Sequence, residues 1–282
     1  IFLLFLAFAK TEEIIVVSRN SKNFISKYPE LLNENISFFD ADISTCNNLP
    51  EFDYVIHAAT SSNKSDYIND EKSQLINIEL GASNFISLIK KRNKNIKILY
   101  CSSGAVYGQQ PQSLENISET HPFSSVESLE KEKRIYALGK RTAEKKIFEL
   151  SSYGYSCVIA RCFSFYGKYL PKDQHFAYGI FTRMAESNQD IVVKAKNRVY
   201  RSYLSADKLV DNLFHLLISA NSNCEVFNVG SSNAILIHDL AEKISKKYKV
   251  NIQKYEIDEK LPHDRYVPDT TKLNKLINSF KL

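Results

Sequence analysis

The stretch Ile96-Lys97-Ile98-Leu99-Tyr100-Cys101-Ser102-Ser103-Gly104-Ala105-Val106-Tyr107-Gly108, followed after a charged interval by Tyr136-Ala137-Leu138-Gly139-Lys140, decides how the chain is read. Its apolar first half predicts a strand over 96–102 that closes in two serines, and the later segment falls within a helical pattern over 130–152. Residues four apart share a helix face, so the phenol of Tyr136 and the ammonium of Lys140 point the same way. A free phenol has a pKa near ~10 and transfers protons poorly at neutral pH until a cation stabilises its phenolate. Lys140 is spaced to supply that cation, and Ser103 at the mouth of the strand completes a proton-transfer trio.

Working outward, short β-branched runs predict further strands over 14–18, 36–40, 54–59, 156–161 and 225–229. Helical patterns separate them at 65–92, 130–152 and 205–220. This alternation predicts an α/β fold with a doubly wound, Rossmann-type parallel sheet, whose ligands bind beyond the carboxyl ends of the strands. Residues 166–200 and 233–282 fit the rhythm poorly. They are assigned to a smaller α/β substrate-binding lobe, leaving 1–165 as the dinucleotide-binding domain, to which 201–232 returns.

The strand ends carry the candidate chemistry. Ser18 and Arg19 follow the first strand, where an acidic residue would bind ribose hydroxyls and a serine with an arginine can hold a 2′-phosphate. Arg19 therefore favours NADP, with NAD also admitted; the competing reading is an exposed loop arginine. Asp42, followed by Ile43, can meet an adenine amino group. Ala58, Ala59 and Thr60 close the third strand with small side chains that let a backbone approach a cofactor. His57 lies within an apolar run and reads as a hydrogen-bonded core residue.

Composition narrows the classes. With 282 residues and 44% hydrophobic content the chain can bury a full core. The net charge of +5 comes without a long basic run, so it suggests anionic small ligands and no nucleic acid. The five cysteines form no CxxC pair and no metal-ligand spacing, which predicts reduced thiols, a cytoplasmic setting and no metal site. The apolar run 1–9 is too short to span a bilayer and reads as a buried helix; no membrane association is expected.

These motifs together resemble the extended short-chain dehydrogenases/reductases of the NAD-dependent nucleotide-sugar epimerase/dehydratase group. The resemblance rests on Asp42-Ile43, His57-Ala58-Ala59, Asn77, Ser102 to Gly108, Tyr136-xxx-Lys140, Arg161-Cys162-Phe163, Arg201 to Asp207 and Phe227 to Gly230. The family opens with a strand and a Gly-rich loop, neither of which is found in this sequence, and about twenty residues are expected to precede Ile1 in the natural protein.

The resemblance implies that Tyr136 acts as general acid/base on a sugar oxygen and Ser103 hydrogen-bonds the same oxygen. Lys140 would also hold the nicotinamide ribose, with Asn77 and Phe163 lining the cofactor. On the substrate side it implies Arg201 as a diphosphate ligand and Ser164 at the sugar-phosphate, with Arg265 as a second candidate clamp and the loop 170–176, including His175, over the substrate. The 4,6-dehydratases carry Asp-Glu where this chain has Gly104 and Ala105, which disfavours dehydration. What is implied is NADP(H)-dependent redox at C4 of a nucleotide-diphosphate sugar, by 4-keto reduction or 4-epimerisation, for cell-surface polysaccharide synthesis, in a homodimer. The alternatives are a non-catalytic dinucleotide-sensing module and an inactive fragment.

Overall fold

The computed structural model describes residues 13–59, 71–127, 129, 131–169 and 176–280. The run 1–9, Thr60 and the segment 170–175 with His175 lie outside the described residues. Four strands pair in parallel in the order β10-β5-β4-β3: β3 (Tyr54–His57), β4 (Lys97–Ser103), β5 (Ser156–Cys162) and β10 (Glu225–Val229). A separate parallel pair joins β1 (Ile14–Ser18) to β2 (Ile36–Asp40), and α1 (Ser21–Lys27) connects them.

Both faces of the four-stranded sheet are covered, which is why its central strands are buried almost end to end. On one face α2 (Glu71–Ile89) and α3 (Lys131–Ser152) bury Phe85, Ile89, Ala143 and Ile147 against Ile98, Tyr100 and Ile159. On the other, α5 (Ala206–Ser219) buries Leu209, Leu213 and Leu216 against Leu99, Val158 and Phe227. The two helical layers make this the doubly wound Rossmann-type sheet expected from the alternation of elements.

The smaller part is built from α4 (Ala177–Glu186), α6 (Ile237–Tyr248) and two small sheets. One pairs β7 (Ile191–Val193) with β12 (Ile252–Lys254). The other has the order β11-β8-β13, from β8 (Val199–Arg201), β11 (Ile235–Leu236) and β13 (Asp264–Tyr266). Phe181, Ile191, Val193, Leu240 and Ile244 form its core. A last parallel pair, β6 (Phe165–Tyr166) with β9 (Leu204–Ser205), lies at the passage between the two parts. Sequence reading placed 233–282 wholly in the lobe. The terminal helix α7 (Thr271–Ser279) instead packs on β10, and Leu273, Leu276 and Ile277 enter the core of the large sheet, because its apolar face has that sheet's edge to cover.

Candidate active site

Three elements deliver the trio. Strand β4 carries Ser103 at its carboxyl end, and the chain turns at once into a 3-10 turn over Gly104–Tyr107. The backbone N–H of Ala105 donates to Ser103 Oγ at 3.2 Å, so the serine caps the turn that follows it. Gly108 closes the turn at φ 78°, a left-handed backbone that side chains disfavour. Helix α3 carries Tyr136 and Lys140 on the face turned toward β4. Lys140 is 2% exposed, and its Nζ donates to the Cys101 carbonyl at 2.8 Å while lying 4.9 Å from the Tyr100 ring centre and 5.9 Å from that of Tyr136.

Burial makes this ammonium a stronger acid. Desolvation pushes the Lys140 pKa down to about 8, against the opposing influence of Cys101, Cys162 and Glu144. The same burial lowers His57 to about 3, with Lys140 adding repulsion. His57 is 6% exposed and stacked on Phe85 at 4.5 Å, so it is a neutral core residue beside the site.

One turn beyond Lys140, Glu144 anchors the helix to the sheet. Its carboxylate accepts from Arg161 Nε at 3.0 Å and Nη2 at 2.8 Å, and from Ser102 Oγ at 2.5 Å, all within the buried layer. Arg161 Nη1 donates to the Tyr107 hydroxyl at 2.9 Å, which donates onward to Asn228 Oδ1 at 2.8 Å. This network ties α3, β4, β5 and β10 together directly beneath Ser103. A fully hydrogen-bonded buried ion pair fixes geometry, whatever its net contribution to stability. Sequence reading missed Glu144, although its spacing of four from Lys140 and eight from Tyr136 puts all three on one stripe.

The candidate cofactor residues gather at the ends of β1, β2 and β3. Ser18 is half-buried and Arg19 exposed. Asp42 Oδ1 accepts from the N–H and hydroxyl of Ser44, at 2.9 and 2.6 Å, and these bonds, with Arg19 nearby, hold its carboxyl below the ordinary range. Asn84 of α2 donates to the carbonyls of Ile43 and Cys46, fixing that loop. Ala58 is half-buried, Ala59 exposed, and Asn77 exposed on α2. Ala58 and Ala59 place only methyl side chains at the end of β3. Phe163 lies deeper, behind the turn over Gly104–Tyr107. It is 4% exposed, its ring lies 4.5 Å from that of Tyr266, and it fills the place where a side chain on residue 104 would stand.

On the lobe side the two arginines part company. Strand alternation puts Val199 and Arg201 on one face of β8, and their register partners Asp264 and Tyr266 on the same face of β13. Arg201 Nη2 meets Asp264 Oδ2 at 2.5 Å on that face. Arg265 is on the other face, 4.9 Å over the Tyr200 ring, and donates to the Glu115 carbonyl at 2.5 Å. It lines a separate groove with Arg198, Tyr200, Asp239 and Lys243. The structure therefore does not bring Arg265 together with Arg201, because a single residue step along a strand reverses the side. Ser164 is half-buried between β5 and β6, where its carbonyl accepts from Leu204 N–H at 3.1 Å.

Among the described residues, no group of His, Cys, Asp and Glu could hold a metal ion, and no helix is long and apolar enough to cross a membrane. All five cysteines are free thiols.

The profile of the NAD dependent epimerase/dehydratase family matches residues 3–230. UDP-glucuronate 4-epimerase 1 of Arabidopsis thaliana is 24% identical over 235 residues, which cover 78% of this chain and 52% of the plant protein. The chain thus spans about half the length of that relative. Among solved structures, a UDP-N-acetylglucosamine 4-epimerase of Methanobrevibacter ruminantium in complex with UDP-N-acetylmuramic acid superposes with a TM-score of 0.81 at 18% identity, covering 97% of this chain and 87% of that one. UDP-glucuronic acid 4-epimerase of Bacillus cereus, in complex with UDP-glucuronic acid and NAD, superposes at 0.79 and 16% identity, covering 98% and 88%. At these identities the structural likeness establishes the fold.

Proposed function

This chain belongs to the NAD dependent epimerase/dehydratase family, and from that premise we propose that it is a nucleotide-sugar 4-epimerase. The observation that carries the reading is the buried Lys140, held on the Cys101 carbonyl one helical turn from Tyr136 and behind the Ser103 strand end. That constellation suits reversible proton transfer at a sugar oxygen. Tyr136 takes the hydroxyl proton and returns it, Lys140 stabilises the phenolate, and Ser103 holds the oxygen. A bound nicotinamide would accept the hydride and give it back. Arg201, beside Tyr266, is the diphosphate ligand in this reading.

Gly104 and Ala105 leave no acid or base beside Ser103 for elimination, which supports epimerisation over dehydration. UDP-sugar 4-epimerases among the relatives support the choice of C4 and of a UDP sugar. Arg19 and Ser18 support NADP; the Bacillus cereus structure contains NAD, and NAD is the second cofactor of the proposal. Ile76 and Leu80, each 49% exposed on α2, and Phe148, 39% exposed on α3, support a homodimer through these two helices. The dinucleotide part, the substrate lobe, the cytoplasmic setting and service to cell-surface polysaccharide synthesis complete the proposal.

The test is incubation with UDP-glucuronate, UDP-glucose and UDP-N-acetylglucosamine, each with NAD or NADP, following product and nicotinamide absorbance. Product without net cofactor reduction or oxidation is expected. Tyr136→Phe should abolish turnover while leaving nucleotide-sugar binding within about twofold, and wild-type rates in that variant refute the assignment.

A further inference from the structure

Arg201, the diphosphate ligand of the proposed function, already holds an anion of the chain's own. It stands on β8, the middle strand of the order β11-β8-β13, with Ile235 and Tyr266 as its register partners on the two sides. A guanidinium carries five N–H donors and no acceptor. Nη1 donates to the Tyr200 carbonyl at 2.8 Å and Nη2 to Asp264 Oδ2 at 2.5 Å. The Asp264 carboxylate thus occupies a donor that an anionic ligand would use. Both side chains remain in reach of solvent, 23% exposed for Arg201 and 41% for Asp264.

The strand that carries Asp264 has no room to withdraw. The Asp264 N–H donates to the Arg198 carbonyl at 2.8 Å. Just beyond β13, the Val267 N–H donates to Gln110 Oε1 at 2.9 Å, and the Val267 carbonyl accepts from the Ile117 N–H at 3.0 Å. The carboxylate therefore leaves the guanidinium only by rotating its own side chain. A charge-assisted bond is one of the stronger kinds, but a pair this accessible to water shifts an equilibrium by a factor of about five at most. Such a contact holds the arginine in the free protein and yields to a ligand of higher charge.

We propose that Asp264 is a built-in competitor for the guanidinium of Arg201, an internal carboxylate that a nucleoside diphosphate has to displace and that sets how tightly the nucleotide is held. The inference rests on the epimerase reading, in which Arg201 binds the diphosphate. A diphosphate brings more charge and more acceptor oxygens than a carboxylate, so it takes the arginine when bound. Asp264 reclaims the arginine as the nucleotide leaves, which weakens binding and eases release. The diphosphate takes no part in the bond changes at the sugar, so the effect falls on nucleotide affinity and not on the chemical step.

The test measures UDP affinity by calorimetry on the full chain. Asp264→Asn keeps the shape of the side chain, removes its charge and should tighten UDP about fivefold. Glu259→Gln removes an equal charge from the exposed pair with Arg198 and should leave the affinity within about 1.5-fold. Arg201→Ala should weaken UDP, and in that background Asp264→Asn should tighten it by less than about 1.5-fold, because Asp264 acts through the arginine. In turnover the gain should appear as a lower KM, with kcat within about twofold. Unchanged or weaker UDP binding in Asp264→Asn, an equal gain in Glu259→Gln, an equal gain without Arg201, or a gain carried by kcat overturns this inference alone. UDP that fails to bind the wild-type protein, or that binds Arg201→Ala as tightly as wild type, overturns the functional reading, and the inference with it.

Discussion

Replacing Gly104 by alanine tests the packing behind the site. A Cβ there would stand 2.6 Å from Phe163 Cζ and 2.7 Å from both Cε atoms, distances at which one partner has to move. The ring has little room to do so, being 4% exposed and packed at a tilt against Tyr266 with 4.5 Å between ring centres. Gly104 lacks a positive φ, so the demand is for space and not for backbone freedom. Overpacking of this kind costs about 1–3 kcal/mol. Urea unfolding of Gly104→Ala should show a loss in that range with an unchanged slope, and turnover should fall because the turn carrying the Ala105 N–H shifts under Ser103. In a Phe163→Leu background the added methyl should cost less than about 0.5 kcal/mol. A Gly104→Ala protein within about 0.5 kcal/mol of wild type refutes the steric argument. The same clash bears on specificity: an aspartate at 104 cannot enter without evicting Phe163, so one substitution should not convert this site to dehydration.

Three further expectations concern charge. Arg19→Ala should weaken NADPH binding by about tenfold or more with little effect on NADH, measured by fluorescence titration, and equal effects refute a phosphate role. Lys140, lowered from 10.5 to about 8, loses its charge as pH rises through 8, so kcat/KM of the free protein should fall on the basic side near that value. Glu144 raises the Lys140 pKa, so Glu144→Gln should move that limb to lower pH; a limb unmoved by the variant counts against Lys140 as its source. His57, lowered from 6.5 to about 3, is neutral in the fold but takes a proton when unfolded, so its contribution is present above pH 6.5 and lost as pH falls toward 3. Between pH 7 and pH 5 this amounts to about 2 kcal/mol, and His57→Phe should remove that share of the acid destabilisation in urea titrations.

The large sheet was legible because its strands carry unbroken apolar runs, which nothing but burial on both faces explains. The strands predicted over 14–18, 36–40 and 225–229 match the structure to the residue, and the others shift by one or two positions at their ends. The lobe was not legible in the same way. Its strands are two or three residues long, too short to display a period, and β8 pairs with β13 across more than sixty positions of chain. Helix α7 followed the lobe in sequence and was assigned to it, but its apolar face answers to β10, a contact that no local pattern encodes.

The candidate site divides along the same line. Tyr136, Lys140 and Ser103 were visible because helix spacing and a strand end are local facts. Arg201 and Arg265 looked alike because charge is local too, yet which face each takes depends on the register between β8 and β13. That register seats Tyr266 beside Arg201 and turns Arg265 to the Tyr200 side. A residue chosen for its charge was therefore turned to the face opposite Arg201 by one step along a strand, and its neighbour Tyr266, overlooked because a tyrosine carries no charge, takes the Arg201 side. Glu144 makes the converse point. Its spacing from Lys140 was readable, but its meaning depends on Arg161 and Ser102 arriving from two strands, so a charged helix residue becomes an internal anchor only once the sheet is assembled.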